Sequence, residues 1–121
     1  MYPRPTSPHL QIYRLPLTAV ISITHRITGV LLSAGLLLLL GLLYLLTSGV
    51  SGYEVMQHWA DFWLGKLVYW GFVFALFFHL CHGVRHLVWD LGESFSPEKL
   101  NIYAVIELIA ALALTLGTLL F

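Results

Sequence analysis

The stretch FFHLCHGVRHLVWD, residues 77–90, decides the fold. It closes a long apolar run, yet it contains three histidines, an arginine and an aspartate. At ~100° per residue, His79, His82 and His86 fall within a narrow arc of one helical face. Gly83 lies on the same side and leaves space beside them. Because ionisable groups at membrane depth are costly, they mark a site by default, and a neutral imidazole suits a haem iron or another transition metal.

The composition of the chain indicates a membrane protein. Of its 121 residues, 59% are hydrophobic and 10% are charged, and the mean hydropathy is +0.84. A soluble domain of this size could not bury so much apolar surface, so lipid is the expected solvent. The formal net charge is zero and there is no basic tail, which argues against nucleic acid binding. With Cys81 as its single cysteine, the chain has no disulfide framework and no thiolate cluster.

Three apolar segments are each long enough to cross a hydrocarbon core of ~30 Å. We predict one transmembrane domain over residues 1–121, with helices at about 18–47, 64–89 and 101–121. Residues 1–17 are proline-rich, which favours an extended arm packed against another surface, a frayed terminus being the alternative. Residues 47–61 have the serines and glycines of an exposed loop, and residues 91–100 form a polar connection that contains Pro97. The predicted fold class is therefore an all-α membrane protein with three transmembrane helices.

The start of the first span carries a polar stripe. Ser22, Arg26, Gly29 and Ser33 recur at i, i+4, i+7 and i+11, on one helical face. An arginine at this depth could simply extend to the headgroups, but the stripe around it favours a site in the bundle interior. Glu107 lies inside the third span, where it could extend to the headgroups, pair with a cation or face a partner.

The distribution of basic residues predicts the orientation. Five of the six arginines and lysines fall on one side of the membrane: Arg4, Arg14, Arg26, Arg85 and Lys99. The positive-inside rule therefore predicts a cytoplasmic (or matrix) N-terminus, in a bacterial inner membrane, with the mitochondrial inner membrane as the alternative. The same assignment places basic groups from two spans in one cytoplasm-facing layer, namely His25, Arg26, Arg85 and His86.

Haem suits the histidine spacing better than two other interpretations, interhelical hydrogen bonds and a non-haem metal. Three histidines on one helix can scarcely surround one ion, whereas haem iron needs only one of them. Arg85 stands roughly 9 Å along the helix from His79, about the offset from haem iron to propionates. We therefore expect His79 on the iron, with His82 as its rival, and propionates at the basic layer. His25 is expected to lie shallower than His79, so the second axial ligand should come from a partner subunit.

Three motifs also carry a family resemblance. RPTSPHL at residues 4–10, SITHRITG at residues 22–29 and HLCHGVRHLVWD at residues 79–90 occur in that order along the chain. They resemble the patterns RPxSPHLxIY, SIxHRxTG and HxxxGxRHLxWD of the cytochrome b membrane-anchor subunit of succinate dehydrogenase. The similarity spans nearly the whole chain.

The resemblance implies half of a heterodimeric haem-binding helix bundle. A second membrane-anchor subunit would complete the bundle, and a flavoprotein subunit and an iron–sulfur subunit would sit on the cytoplasmic face. It further implies that His79 is an axial ligand of haem b, that Ser22 and Arg26 contribute to a ubiquinone pocket, and that His25 and Arg26 approach the propionates. Arg85 is a weaker propionate candidate.

In this interpretation succinate chemistry belongs to the partner subunits, and this chain contributes to quinone reduction without catalytic residues of its own. Two alternatives are the anchor of a fumarate reductase and a non-redox helical membrane protein. The latter would use the histidines as interhelical contacts or as a proton relay.

Overall fold

The structure, a computed structural model, describes residues 14–120. Four α-helices follow one another: α1 (Leu17–Leu46), α2 (Val50–Asp61), α3 (Trp63–Asp90) and α4 (Pro97–Gly117), with a final 3-10 turn at Thr118–Leu120. Three segments, Leu17–Leu46, Trp63–Asp90 and Pro97–Leu120, are long and apolar enough to cross a membrane. Residues 14–120 contain no strand. The predicted all-α membrane class is confirmed. The motif at residues 4–10 and most of the proline-rich arm lie outside the described residues.

The connection between the first two spans differs from the expected loop, because it contains α2. Gly49 has φ +70°, a left-handed conformation that glycine adopts without strain, and it separates α2 from α1. Gly52 lies against the end of α1, where an added Cβ would collide with the Leu45 carbonyl oxygen. The glycines that suggested a loop thus allow a sharp turn followed by a helix.

The third span begins earlier than expected, at Pro97 instead of about residue 101. Proline is well tolerated in the first turn of a helix, where its missing N–H would have had no intrahelical partner. The chain reverses just before it, through Gly92 at φ +81° and Ser94 at φ +71°. Pro97 therefore starts the helix, although its position between polar residues suggested a connection.

α3 is the central element and packs against both α1 and α4. The buried core is small and consists of Ile21, Phe78, Ala104 and Ala111. Two glycines let α1 approach α3 closely, since a Cβ on Gly29 would lie 3.1 Å from His79 Cε1 and one on Gly35 would lie 2.5 Å from Phe72 Cε1. Many apolar side chains remain exposed on the outside of the chain. This surface is what a bilayer or partner helices would cover.

Candidate functional site

Four histidines meet where α1 crosses α3. The ring of His25, on α1, stacks on the ring of His79 with a centroid distance of 3.9 Å and an interplanar angle of 19°. The same ring lies 4.5 Å from the ring of His82 and 5.7 Å from that of His86. The structure therefore brings His25 and His86 together, as the layer of basic residues led us to expect.

His79 is held by its Nδ1 atom. Nδ1 lies 3.2 Å from the backbone carbonyl oxygen of His25 and 3.3 Å from Thr28 Oγ1. The Thr28 hydroxyl donates to that same carbonyl at 2.8 Å, so the carbonyl is an acceptor for the Nδ1–H of His79 as well. In this tautomer Nε2 carries the free lone pair. No residue within 14–120 hydrogen-bonds to Nε2, and the half-buried ring thus presents it as a ligand.

His82 is held on the opposite side, by α4. It is fully buried, and its Nδ1 lies 2.6 Å from Glu107 Oε1. The other oxygen of Glu107 accepts a hydrogen bond from Arg85 Nη1 at 3.1 Å, and Arg85 Nη2 donates to the Leu100 carbonyl at 2.6 Å. The guanidinium carbon also lies 4.7 Å from the centre of the Trp89 ring. Glu107 therefore pairs with a cation, one of the three alternatives that the sequence left open.

These contacts bear on the expected role of Arg85. From its depth along α3, Arg85 was expected to contact the haem propionates. Six residues advance an α-helix by about 600°, so Arg85 lies about 120° around the helix from His79. Its side chain is directed at α4 and is almost completely buried there. A contact between Arg85 and a propionate on the His79 side has no support in this geometry.

The relative depth of His25 agrees with expectation. Its ring lies 3.9 Å from that of His79 and 5.7 Å from that of His86. Because seven residues advance α3 by about 10 Å, the ring of His25 lies between these two and nearer than His79 to the end of α3. That a second haem ligand comes from a partner subunit stays a prediction.

Ser22 and Arg26 lie one turn apart on α1. Ser22 is half-buried and Arg26 is exposed. Within residues 14–120 neither lines the cavity of about 460 Å³ between α3 and α4, nor the smaller one beside His58, and Arg26 forms no ion pair there. Arg26 is thus exposed on the outside of a membrane-spanning helix, where headgroups or a partner can reach it.

Glu107 is the important residue that the sequence did not assign. The available signal was an acid inside the third span, together with His82 and Arg85 one turn apart on α3, where both can face one neighbouring helix. The sequence does not give the rotation of α4 about its axis, which directs Glu107 at His82 and Arg85.

Comparison with known proteins places this arrangement in a family. The profile of the succinate dehydrogenase/fumarate reductase transmembrane subunit matches residues 1–118. The succinate dehydrogenase cytochrome b556 subunit of Rickettsia felis is 38% identical over 114 residues, which cover 93% of this chain and 88% of the relative. The corresponding subunit of Paracoccus denitrificans is 41% identical over 96 residues, covering 79% and 74%. The mitochondrial cytochrome b560 subunit of Sus scrofa is 41% identical over 120 residues, covering 94% and 69%. The chain belongs to the family of transmembrane subunits of succinate dehydrogenase and fumarate reductase.

Proposed function

We propose that this chain is a membrane-anchor subunit of succinate dehydrogenase that binds haem b and helps to form the site at which ubiquinone is reduced. The observation that carries the proposal is the environment of His79. Its Nδ1 faces a carbonyl oxygen and its Nε2 has no partner within residues 14–120. The names of the relatives, which are cytochrome b subunits of succinate dehydrogenase, support the same function.

The residues around His79 fit a haem ligand. A hydrogen bond from Nδ1 to a carbonyl fixes the orientation of a ligating imidazole and raises its basicity. Gly29 leaves room for the ring, since a Cβ there would lie 3.1 Å from His79 Cε1. When bound, haem b would supply a one-electron store. The second membrane-anchor subunit would provide the other ligand of its iron.

His82 is the weaker candidate for the iron. Its ring is fully buried between α1, α3 and α4, whereas the ring of His79 is only half-buried. A group as large as haem reaches the more open ring without unpacking α4. His25, which stacks on His79, and Arg26, the next residue of α1, would hold the propionates, because a guanidinium donates charge-assisted hydrogen bonds to carboxylates.

The quinone would meet Ser22 and Arg26. A hydroxyl and a guanidinium one turn apart can both donate to quinone oxygens and stabilise the negative charge that develops during reduction. Since neither residue lines a cavity in this chain, the pocket would be completed by the iron–sulfur subunit and the second anchor. Electrons taken from succinate in the flavoprotein subunit would pass through the iron–sulfur subunit, and two electrons with two protons would convert the quinone to the quinol.

The haem assignment is tested by comparing His79→Ala with His82→Ala in the complex purified in mild detergent. The measurement is the dithionite-reduced minus oxidised absorption spectrum. We expect His79→Ala to remove or alter the cytochrome b band, because the iron loses its ligand, and His58→Ala, an exposed position on α2, to leave it unchanged.

Two results would contradict the assignment. A band that survives His79→Ala but disappears in His82→Ala would transfer the iron to His82. A wild-type complex without a cytochrome b band would instead favour a non-redox protein in which the histidines are only interhelical contacts.

A further inference from the structure

We propose that Thr28 sets the reduction potential of the haem iron by weakening the hydrogen bond that His79 donates to the carbonyl oxygen of His25. Thr28 would touch neither the iron nor the quinone, so it is a positioning residue that acts through His79. This role rests on the proposed function, because it takes His79 as the axial ligand. It adds to that function a residue that determines how readily the haem accepts an electron.

The hydroxyl of Thr28 is fixed by its place in α1. Thr28 is 5% exposed, and its Oγ1 donates at 2.8 Å to the carbonyl oxygen of His25, three residues earlier in the helix. Threonine in a helix commonly makes this bond, which selects one rotamer of the side chain. Since its own proton is engaged, Oγ1 can act towards Nδ1 of His79, 3.3 Å away, only as an acceptor.

The Nδ1–H of His79 is therefore shared between two acceptors. Nδ1 lies 3.2 Å from the carbonyl oxygen of His25 and 3.3 Å from Oγ1 of Thr28. Both distances exceed the commonest N–H···O distance of about 2.9–3.0 Å. The carbonyl oxygen also accepts from the Thr28 hydroxyl, which uses part of its capacity. The hydrogen bond from His79 to the carbonyl is thus present, but it is divided and long.

The strength of this bond bears on the iron. A hydrogen bond donated by Nδ1 makes a ligating imidazole more basic, and hydrogen bonding behind the axial ligand is one of the means by which a protein sets a haem potential. A more basic ligand stabilises ferric over ferrous iron, because ferric iron carries the higher charge. By weakening the bond, Thr28 favours the ferrous state and raises the midpoint potential of the haem.

The test compares Thr28→Val with the wild type in the purified complex, by a redox titration followed at the cytochrome b absorption band. Valine has the shape of threonine without the hydroxyl, so the carbonyl of His25 is left to His79 alone. At a fixed solution potential, the ferrous-to-ferric ratio should fall about 3–10-fold, the effect of one hydrogen bond. This corresponds to a midpoint lower by about 30–60 mV for a one-electron couple. Thr28→Ser keeps the hydroxyl and should restore the wild-type midpoint.

Thr24→Val is the matched control. Thr24 lies one turn earlier on α1, and its hydroxyl donates at 2.9 Å to the Val20 carbonyl of the same helix. Within residues 14–120 its side chain forms no hydrogen bond to α3. The substitution therefore removes the same kind of bond without touching His79, and the midpoint should equal that of the wild type.

Three results would overturn the role of Thr28 while the proposed function stands. They are an unchanged or raised midpoint in Thr28→Val, a shift of equal size in Thr24→Val, and loss of the haem in Thr28→Val. In the last case the hydroxyl would be needed to hold the haem, not to set its potential. An unaltered cytochrome b band in His79→Ala would instead contradict the proposed function itself, and the role of Thr28 with it.

Discussion

Glu107 joins two polar side chains, His82 and Arg85, in the interior of this chain, and the cost of its removal can be calculated. It is 5% exposed and neutralises Arg85 while it accepts from His82. Removing one partner of a buried ion pair costs about 3–5 kcal/mol, because the remaining charge is left unpaired. We therefore expect Glu107→Ala to lower the free energy of unfolding in detergent by about this amount.

The matched control is Glu98→Ala, at an exposed position in the first turn of the same helix. Surface substitutions away from special features change stability by about 0.5 kcal/mol or less. Equal losses in the two variants would mean that the buried pair does not stabilise α4 against α3.

At the level of single residues, the sequence identifies the important side chains more reliably than it identifies their contacts. His25 and His86 meet as expected, because both lie near one end of antiparallel spans. The partner of Arg85 was not predictable, since depth along a helix does not give the direction around it. The roles of His79, Ser22 and Arg26 stay predictions, since the chain is only one part of the site they would form.

The close approach of α1 and α3 depends on glycine. A Cβ on Gly35 would lie 2.5 Å from Cε1 and 2.9 Å from Cδ1 of Phe72, so Gly35→Ala forces this ring to move. Overpacking of this kind typically costs about 1–3 kcal/mol. We expect Gly35→Ala to reduce thermal stability in detergent.

Gly41→Ala is the control within the same helix, because a Cβ on Gly41 meets nothing within 4 Å. It should leave the melting temperature unchanged or raise it slightly, since alanine favours the helix. If the two alanine variants melted together, α1 and α3 would not be in close contact at Gly35.

The helices themselves were largely predictable, whereas their ends and the element α2 were not. Long apolar runs locate membrane spans because the bilayer core requires them. Glycine and proline are less informative from sequence alone. Gly49 ends one helix and permits another, and Pro97 begins the helix that it was expected to precede.

The whole molecule is shaped for assembly with other helices. The leucine-rich part of α1 is exposed, with Leu37 at 71%, and Arg26 is exposed on the same membrane-spanning helix. Lipid tails account for the leucine but not for the guanidinium. Under the proposed function, the quinone and the partner subunits would lie beside the first half of α1.

Under the proposed function, this chain serves quinone reduction, and the chemistry of succinate belongs to the partner subunits. The most direct measurement compares two activities of the purified complex, succinate oxidation with an artificial acceptor at the flavin and succinate oxidation with ubiquinone, in Ser22→Ala and Arg26→Ala. Ser33→Ala, further along α1, is the control. We predict that the first two variants lose most of the ubiquinone activity, because quinone oxygens lose their donors, and keep the activity with the artificial acceptor. Wild-type ubiquinone kinetics in both variants, or an equal loss of both activities, would contradict the account.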